Sequence, residues 1–249
     1  MQKLPSLQEL LEAGVHFGHK TSRWYPKMRQ YIYGARQDVH ILNLEKTLTS
    51  LEKALAYVKG IAASGGVVLF VGTKAQAAPA IRKYALEVGM PYVDNRWLGG
   101  TFTNLPVITA LIKKLDKLEQ ERDSGDRSKY TKKEQLDFDR EIVRLTTLVG
   151  GIRTISKLPQ AIFLVGLKEE KTVSREAVKT HVPIIALCDS NTNPTAVAYP
   201  IPANDDGIKS IELITKLVAE AIREGKQEGA RVAAAAAMPT VEEKPVEVA

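Results

Sequence analysis

The chain has 249 residues, 44% of them hydrophobic and 26% charged, with a net charge of +6 at neutral pH. That length is enough for one sizeable core, and the single cysteine, Cys188, excludes an intramolecular disulfide framework and fits a reducing compartment. No apolar run approaches the roughly 18 residues that span a bilayer, and Gln8, Glu9 and Glu12 among the first leucines are unlike a secretory signal, so a soluble cytoplasmic protein is expected.

Charge is distributed unevenly. Beyond Lys226, Glu228, Glu242, Glu243 and Glu247 stand against Arg231 and Lys244, so the rest of the chain carries +8 and favours an anionic partner. From Ala13 to Gln37 there are 25 consecutive residues without an acid. They hold Lys20, Arg23, Lys27, Arg29 and Arg36 interleaved with Phe17, Trp24, Tyr25, Tyr31 and Tyr33. Cations neutralise phosphates and release counterions, and rings stack on unpaired bases, so the segment suits RNA. The alternative is a core of rings with a solvated rim of cations. His16 and His19 share a metal only if helical and joined by His40, His181 or Cys188. Hydrogen bonding to backbone or RNA is the simpler reading, and no metal is expected.

From Leu44 to about Ala62, Leu44, Leu48, Leu51, Leu55, Val58 and Ile61 recur at steps of three and four, the stripe of a helix lying on a sheet. Val67 to Val71, bounded by Gly65, Gly66 and Gly72, is a strand buried on both faces. Val71-Gly72-Thr73-Lys74 is a strand-to-helix turn where amides and a helix dipole can hold a phosphate. It lacks the spaced glycines of a nucleotide fingerprint; a turn at Gly72 and a cap at Thr73, for a helix to about Glu87, explain it. Tyr92 to Trp97 is a weaker strand. It runs into Gly99 and Gly100, placing Arg96 against phosphate or an acid such as Asp94 and Trp97 either in the core or on a contact surface.

Pro106 to Val149 breaks this rhythm. Ile108, Leu111, Leu115 and Leu118 form one narrow seam; Phe138, Ile142, Leu145 and Val149 form another, after a capping box from Thr131 to Glu134. Such seams predict an antiparallel coiled-coil hairpin, an arm suited to docking in an assembly, ended by Gly150 and Gly151. Ala161 to Val165 and Pro183 to Leu187 are again buried strands, Tyr199 to Ile201 a weaker one, with helices over Lys168 to Thr180 and Asp205 to Glu224. Cys188 reads as a buried small hydrophobe. Asp189, Asp205 and Asp206 lie near carboxyl ends of strands, suited to magnesium or acid-base work. Capping of the last helix by Asp205 and Asp206 is the favoured account. From Gln227 to Ala249, five consecutive alanines and Pro239, Glu242, Glu243, Lys244 and Pro245 predict disorder, with Arg231 to Ala237 transiently helical at most. Strands separated by helices imply a parallel sheet of about five strands in an α/β layered fold. Residues 1–105 and 150–226 would form that domain, with 106–149 inserted and 227–249 a tail.

Several strings resemble one family in the right order. They are Ala13 to Thr21 (Ala-Gly-Val-His-Phe-Gly-His-Lys-Thr), Trp24 to Met28, Tyr33 to Arg36, Val39 to Thr47, Val68 to Lys74, Arg96 to Asn104, Leu148 to Ile152 and Asn204 to Ile208. Together they are similar to the bacterial small-ribosomal-subunit protein S2 family, with coverage from about Leu7 to Gly225. The resemblance implies a flavodoxin-like sheet with an inserted helical hairpin and a structural, non-catalytic constituent of the small subunit. It further implies contact with that subunit's large RNA, neighbouring ribosomal proteins and recruitment of ribosomal protein S1, with no cofactor, membrane or small-molecule substrate. The expected RNA contacts are Lys20, Arg23, Trp24, Tyr25, Lys27, Arg29, Tyr31, Arg36 and Arg96. Gly166, Thr180-His181, Ala203 and Gln160 depart from the family's usual residues, and they cluster at the ligand-prone edge of the sheet. The rival readings are a nucleotide-dependent α/β enzyme and an independent RNA-regulatory protein.

Overall fold

The computed structural model describes residues 4–124 and 130–236; the expectation for the chain beyond 236 lies outside them. Helix α1 (Leu7–Glu12) starts at a capping box in which the Ser6 hydroxyl accepts from the Glu9 amide and the Glu9 carboxylate accepts from the Ser6 amide. Three short antiparallel strands follow, β1 (Phe17–Lys20), β2 (Ile32–Arg36) and β3 (Val39–Leu42), in the spatial order β1-β3-β2. Sequence reading did not anticipate this sheet, whose first two strands end at Lys20 and Arg36 of the basic segment. Irregular register between Phe17 and Lys20 and between Ile32 and Gly34 spoils the two-residue alternation that announces strands. The β2–β3 turn uses Gln37 and Asp38, both at positive φ (50° and 59°), as a two-residue hairpin turn of the type I′ family requires.

Helix α2 (Leu44–Ala63) is capped by Asn43, whose side chain accepts from the Glu45 and Lys46 amides, and it buries Leu51, Ala54, Leu55, Val58 and Ile61. Strand β4 (Val68–Val71), helix α3 (Ala78–Glu87), strand β5 (Tyr92–Val93), helices α4 (Leu105–Asp123) and α5 (Lys132–Val149), strand β6 (Ala161–Leu164), helix α6 (Lys171–Lys179), strands β7 (Ile184–Cys188) and β8 (Tyr199–Pro202) and helix α7 (Ile208–Ala236) complete the chain. The five later strands form one parallel sheet in the order β5-β4-β6-β7-β8. Counted within that sheet the order is 2-1-3-4-5, the doubly wound flavodoxin-like arrangement.

The continuous apolar runs are explained by two cores. Val68, Phe70, Phe163, Ile185 and Leu187 join α2, α3 and α7 on one face. Their neighbours Leu69, Val71, Ile162, Leu164, Ile184 and Ala186 join α4, α5 and α6 on the other. The central strands β4, β6 and β7 therefore alternate between two dry layers rather than between core and water. β5 stops at Val93, short of the expected Trp97, because Asp94 turns out to pair with Arg82 and the chain then folds Trp97 into the second core. The α4 and α5 seams enter that same core, and Lys114 Nζ meets Glu141 Oε1 at 2.7 Å between them. Thr131 and Glu134 form the anticipated capping box.

Helix α7 continues to Ala236, well past the expected boundary near Lys226. The apolar side chains judged too few there are replaced by backbone proximity. A Cβ on Gly225 would meet Lys59 O and the Ala62 side chain, and one on Gly229 would meet Ala63 O, so α2 and α7 touch through these glycines. Lys59 adds ion pairs to Glu224 (3.6 Å) and Glu228 (3.0 Å). Gly225→Val is expected to destabilise the fold by about 1–3 kcal/mol by forcing the helices apart. Gly60, exposed in α2 with nothing within 4 Å of its Cβ position, should tolerate alanine with a gain of about 0.5–1 kcal/mol. Urea unfolding of the two variants measures both.

Candidate nucleic-acid interface

The basic segment is held against the carboxyl ends of the parallel strands by a few backbone contacts. The Ser190 hydroxyl, just past β7, accepts from the His19 amide at 2.8 Å, and Ser190 O accepts from the Tyr25 amide at 2.8 Å. Gly18 permits that approach, since a Cβ there would stand 2.9 Å from Ser190 Oγ and 3.1 Å from His40 O. The amides of Leu42 and Asn43 donate to His16 O and Tyr31 O, and Asn204 N donates to Val15 O, closing both flanks. The tight turn Pro26–Tyr31 buries Met28 completely, which leaves Lys27 and Arg29 on its outer side.

Lys20, Arg23, Lys27, Arg29 and Arg36 are all exposed, and among the described residues none has a carboxylate within ion-pair distance. Lys27 Nζ instead donates to Thr195 Oγ1 at 3.2 Å. Elsewhere the pattern is mixed: Lys59, Lys83, Lys114, Arg144, Arg153 and Arg223 each meet an acid, whereas Lys53, Lys113, Lys168, Lys171, Arg175 and Lys179 are exposed without one among the described residues. Trp24 is 40% exposed beside the His40 ring, while Tyr25 and Tyr31 are half-buried against the second core. The rings therefore divide by exposure, Trp24 open to solvent and Tyr25 and Tyr31 partly in the core. Arg96 is exposed and also without an acid, because Arg82 Nε takes Asp94 at 2.6 Å. It follows β5, the edge strand farthest from β8, so it stands apart from the other expected contacts.

Trp97 is core, at 7% exposure, with its Nε1 donating to Glu176 at 3.2 Å. Glu176 on α6 also accepts from the amides of Gly100 (2.7 Å), Phe102 (3.0 Å) and Thr103 (3.4 Å). Burial pushes this carboxyl up, but these hydrogen bonds outweigh burial and hold it below the usual range. Sequence reading missed Glu176. Its only signal was an acid on the apolar side of an amphipathic helix.

The carboxylates at the sheet edge correct two expectations. Thr73 does not cap α3; its hydroxyl donates to Glu170, and α3 starts after Ala77 with a proline in its first turn. Asp205 and Asp206 do not cap α7 either. The Asn204 side chain accepts from the amides of Asp206 and Gly207, and the two aspartates turn to Lys74 Nζ at 3.0 and 2.9 Å. Glu169 approaches the same ammonium at 3.5 Å. Burial works against the charge of Lys74, but these carboxylates outweigh it and keep the ammonium protonated. Burial pushes Asp205 up to about 6 against the pull of Lys74. His19 Nδ1 lies 2.9 Å from Asp189 and its Nε2 3.3 Å from Asp206. Among the described residues, His19, Asp205 and Asp206 are the group whose ligand atoms lie close enough to share a cation, within 4.8 Å; His16, His40 and Cys188 are not part of it. Cys188 is fully buried, its thiol pushed up to about 12 by desolvation.

The fold, the docked basic segment and the strings that form both correspond to one family. The family model described as ribosomal protein S2 matches residues 10–225. The chain belongs to the ribosomal protein S2 family. It is similar to small ribosomal subunit protein uS2 of Salinispora arenicola, with 47% identity over 221 residues, covering 88% of this chain and 79% of the relative. The protein of the same name from Psychrobacter sp. is 46% identical over 221 residues, covering 89% and 84%. That from Micrococcus luteus is 43% identical over 242 residues, covering 95% and 84%. Other curated matches carry the same S2 name.

Two outcomes follow from the S2 scaffold. The Asp189 hydrogen bond, opposed by burial and aided by the charges of Asp189, Asp206 and Asp205, raises the His19 pKa above 6.5. Its contribution to stability is therefore fully present below 6.5 and is lost as pH rises through the raised value. Asp205 acts in a lower window, between 3.8 and about 6. Thermal unfolding across a pH series should show a decline above 6.5 that His19→Gln removes. Glu176→Gln, which sets an amide against four donors, should destabilise by about 1–3 kcal/mol in urea.

Proposed function

We propose that this S2 family member is a non-catalytic structural constituent of the small ribosomal subunit, cytoplasmic and ribosome-bound, that binds the large RNA of that subunit. The reading further assigns it a part in subunit assembly and in recruiting ribosomal protein S1. One observation carries the RNA contact: five exposed cations without acid partners among the described residues lie on one acid-free segment docked at the carboxyl edge of the sheet. Unpaired cations are free to exchange their counterions for phosphates. Lys20, Arg23, Lys27, Arg29, Arg36 and Arg96 contact phosphates in this reading, and Trp24, Tyr25 and Tyr31 fill RNA or protein surface. Helices α4 and α5, which leave Val107, Leu136 and Val143 exposed, serve as the arm toward neighbouring proteins or RNA.

A nucleotide-dependent enzyme would need a free phosphate cradle after β4. There Thr73 is bound to Glu170 and Lys74 is surrounded by Asp205, Asp206 and Glu169. Combined Arg23→Ala, Lys27→Ala and Arg29→Ala substitution should leave folding intact, weaken binding to small-subunit RNA, and reduce the slope of log affinity against log salt by about 2 to 3. Filter binding across a salt series measures this, with circular dichroism as the folding control. Unchanged affinity and slope would overturn the assignment.

A further inference from the structure

Beside the docked segment lies a cavity of about 380 Å³ to which Tyr25 alone of the expected contacts contributes. Lys168, Lys171 and Arg175 line it, together with Tyr25, Ser174 and Asn191, and no carboxylate contributes to its wall. The three cations are exposed, and among the described residues none forms an ion pair. Asn191 Oδ1 is shielded from solvent and receives no hydrogen bond. A buried acceptor without a donor is costly, and native structures supply one from protein, water or ligand. Helix α6 also opens here at Lys171, with no side chain capping its first turn, so its free amides add to the positive field.

We propose that this cavity receives an unpaired nucleotide of the ribosomal RNA. The base enters beside Tyr25, whose ring offers a stacking surface, and an N–H of the base edge donates to Asn191 Oδ1. Its flanking phosphates meet Lys171 and Arg175, with Lys168 at the rim. The size suits this occupant, since the volume lies in the range of small-ligand sites and is too small for a duplex. Tyr25 belongs to the basic segment and its amide is fixed on Ser190, so the pocket and the docked segment form one continuous RNA-facing surface. An acidic protein segment would satisfy the cations but would leave the stacking surface and the Asn191 acceptor without purpose.

This inference rests on the RNA-binding reading, and the test separates the two. Full-length protein is bound to the complete small-subunit RNA, and the bases are probed with dimethyl sulfate and a carbodiimide. The wild type should protect one unpaired base that becomes reactive again with Asn191→Ala, a variant whose melting temperature should match the wild type. The Lys171→Ala, Arg175→Ala double variant should reduce the salt slope by about 2. An Asn191→Ala footprint identical to that of the wild type, or an unchanged slope in the double variant, would overturn the pocket while RNA binding by the wild type left the broader reading intact. Failure of the wild type to bind the RNA would remove both.

Discussion

The ammonium of Lys74 is caught among the carboxylates of Asp205, Asp206 and Glu169, at the point where a doubly wound sheet ordinarily leaves a crevice for its ligand. Asp205 is buried, and a buried charge persists only with a partner. Its partner is supplied by the turn after β4, while Asp206 and Asp189 also engage His19 from the basic segment. One charge cluster thereby closes the crevice, joins the last helix to the first strand of the sheet, and holds the amino-terminal segment over both. At that crevice the charged groups are therefore committed to one another.

The parts of the fold that could be read from sequence were those governed by a single periodicity. Buried strands such as Val68–Val71 and Ala161–Leu164 announced themselves because both faces are dry. Helix α2 did so through its stripe, and α5 through the Thr131 capping box. The three-stranded sheet was hidden because its register is irregular and its turn, Gln37-Asp38, lacks the glycine that usually marks such a bend. The end of α7 was misjudged because closeness of backbones at Gly225 and Gly229 leaves no apolar letters in the sequence.

At the site, legibility followed chemistry rather than pattern. Cations without partners could be read as such because the segment contains no acid at all. Arg96 could not be resolved, since only the structure shows that Asp94 is taken by Arg82. Asp205 and Asp206 stand near a helix start, where capping is expected, but Asn204 closes the turn before α7 by accepting from the Asp206 and Gly207 amides, and the two aspartates meet Lys74. Glu176 is the clearest omission: four donors from Trp97 to Thr103 converge on it across more than seventy positions of sequence, a distance that no local pattern spans.

The anchor at Ser190 has a consequence for synthesis. The segment bearing Lys20, Arg23 and Arg29 leaves the ribosome that makes it before the hydroxyl and carbonyl that shape it, which emerge some 170 residues later. Until β7 has been made and has joined the sheet, the segment carries its charge without these contacts to shape it. The shape of the segment is thus fixed only by completion of the fold, and a chain cut short before Ser190 would lack the contacts that fix it.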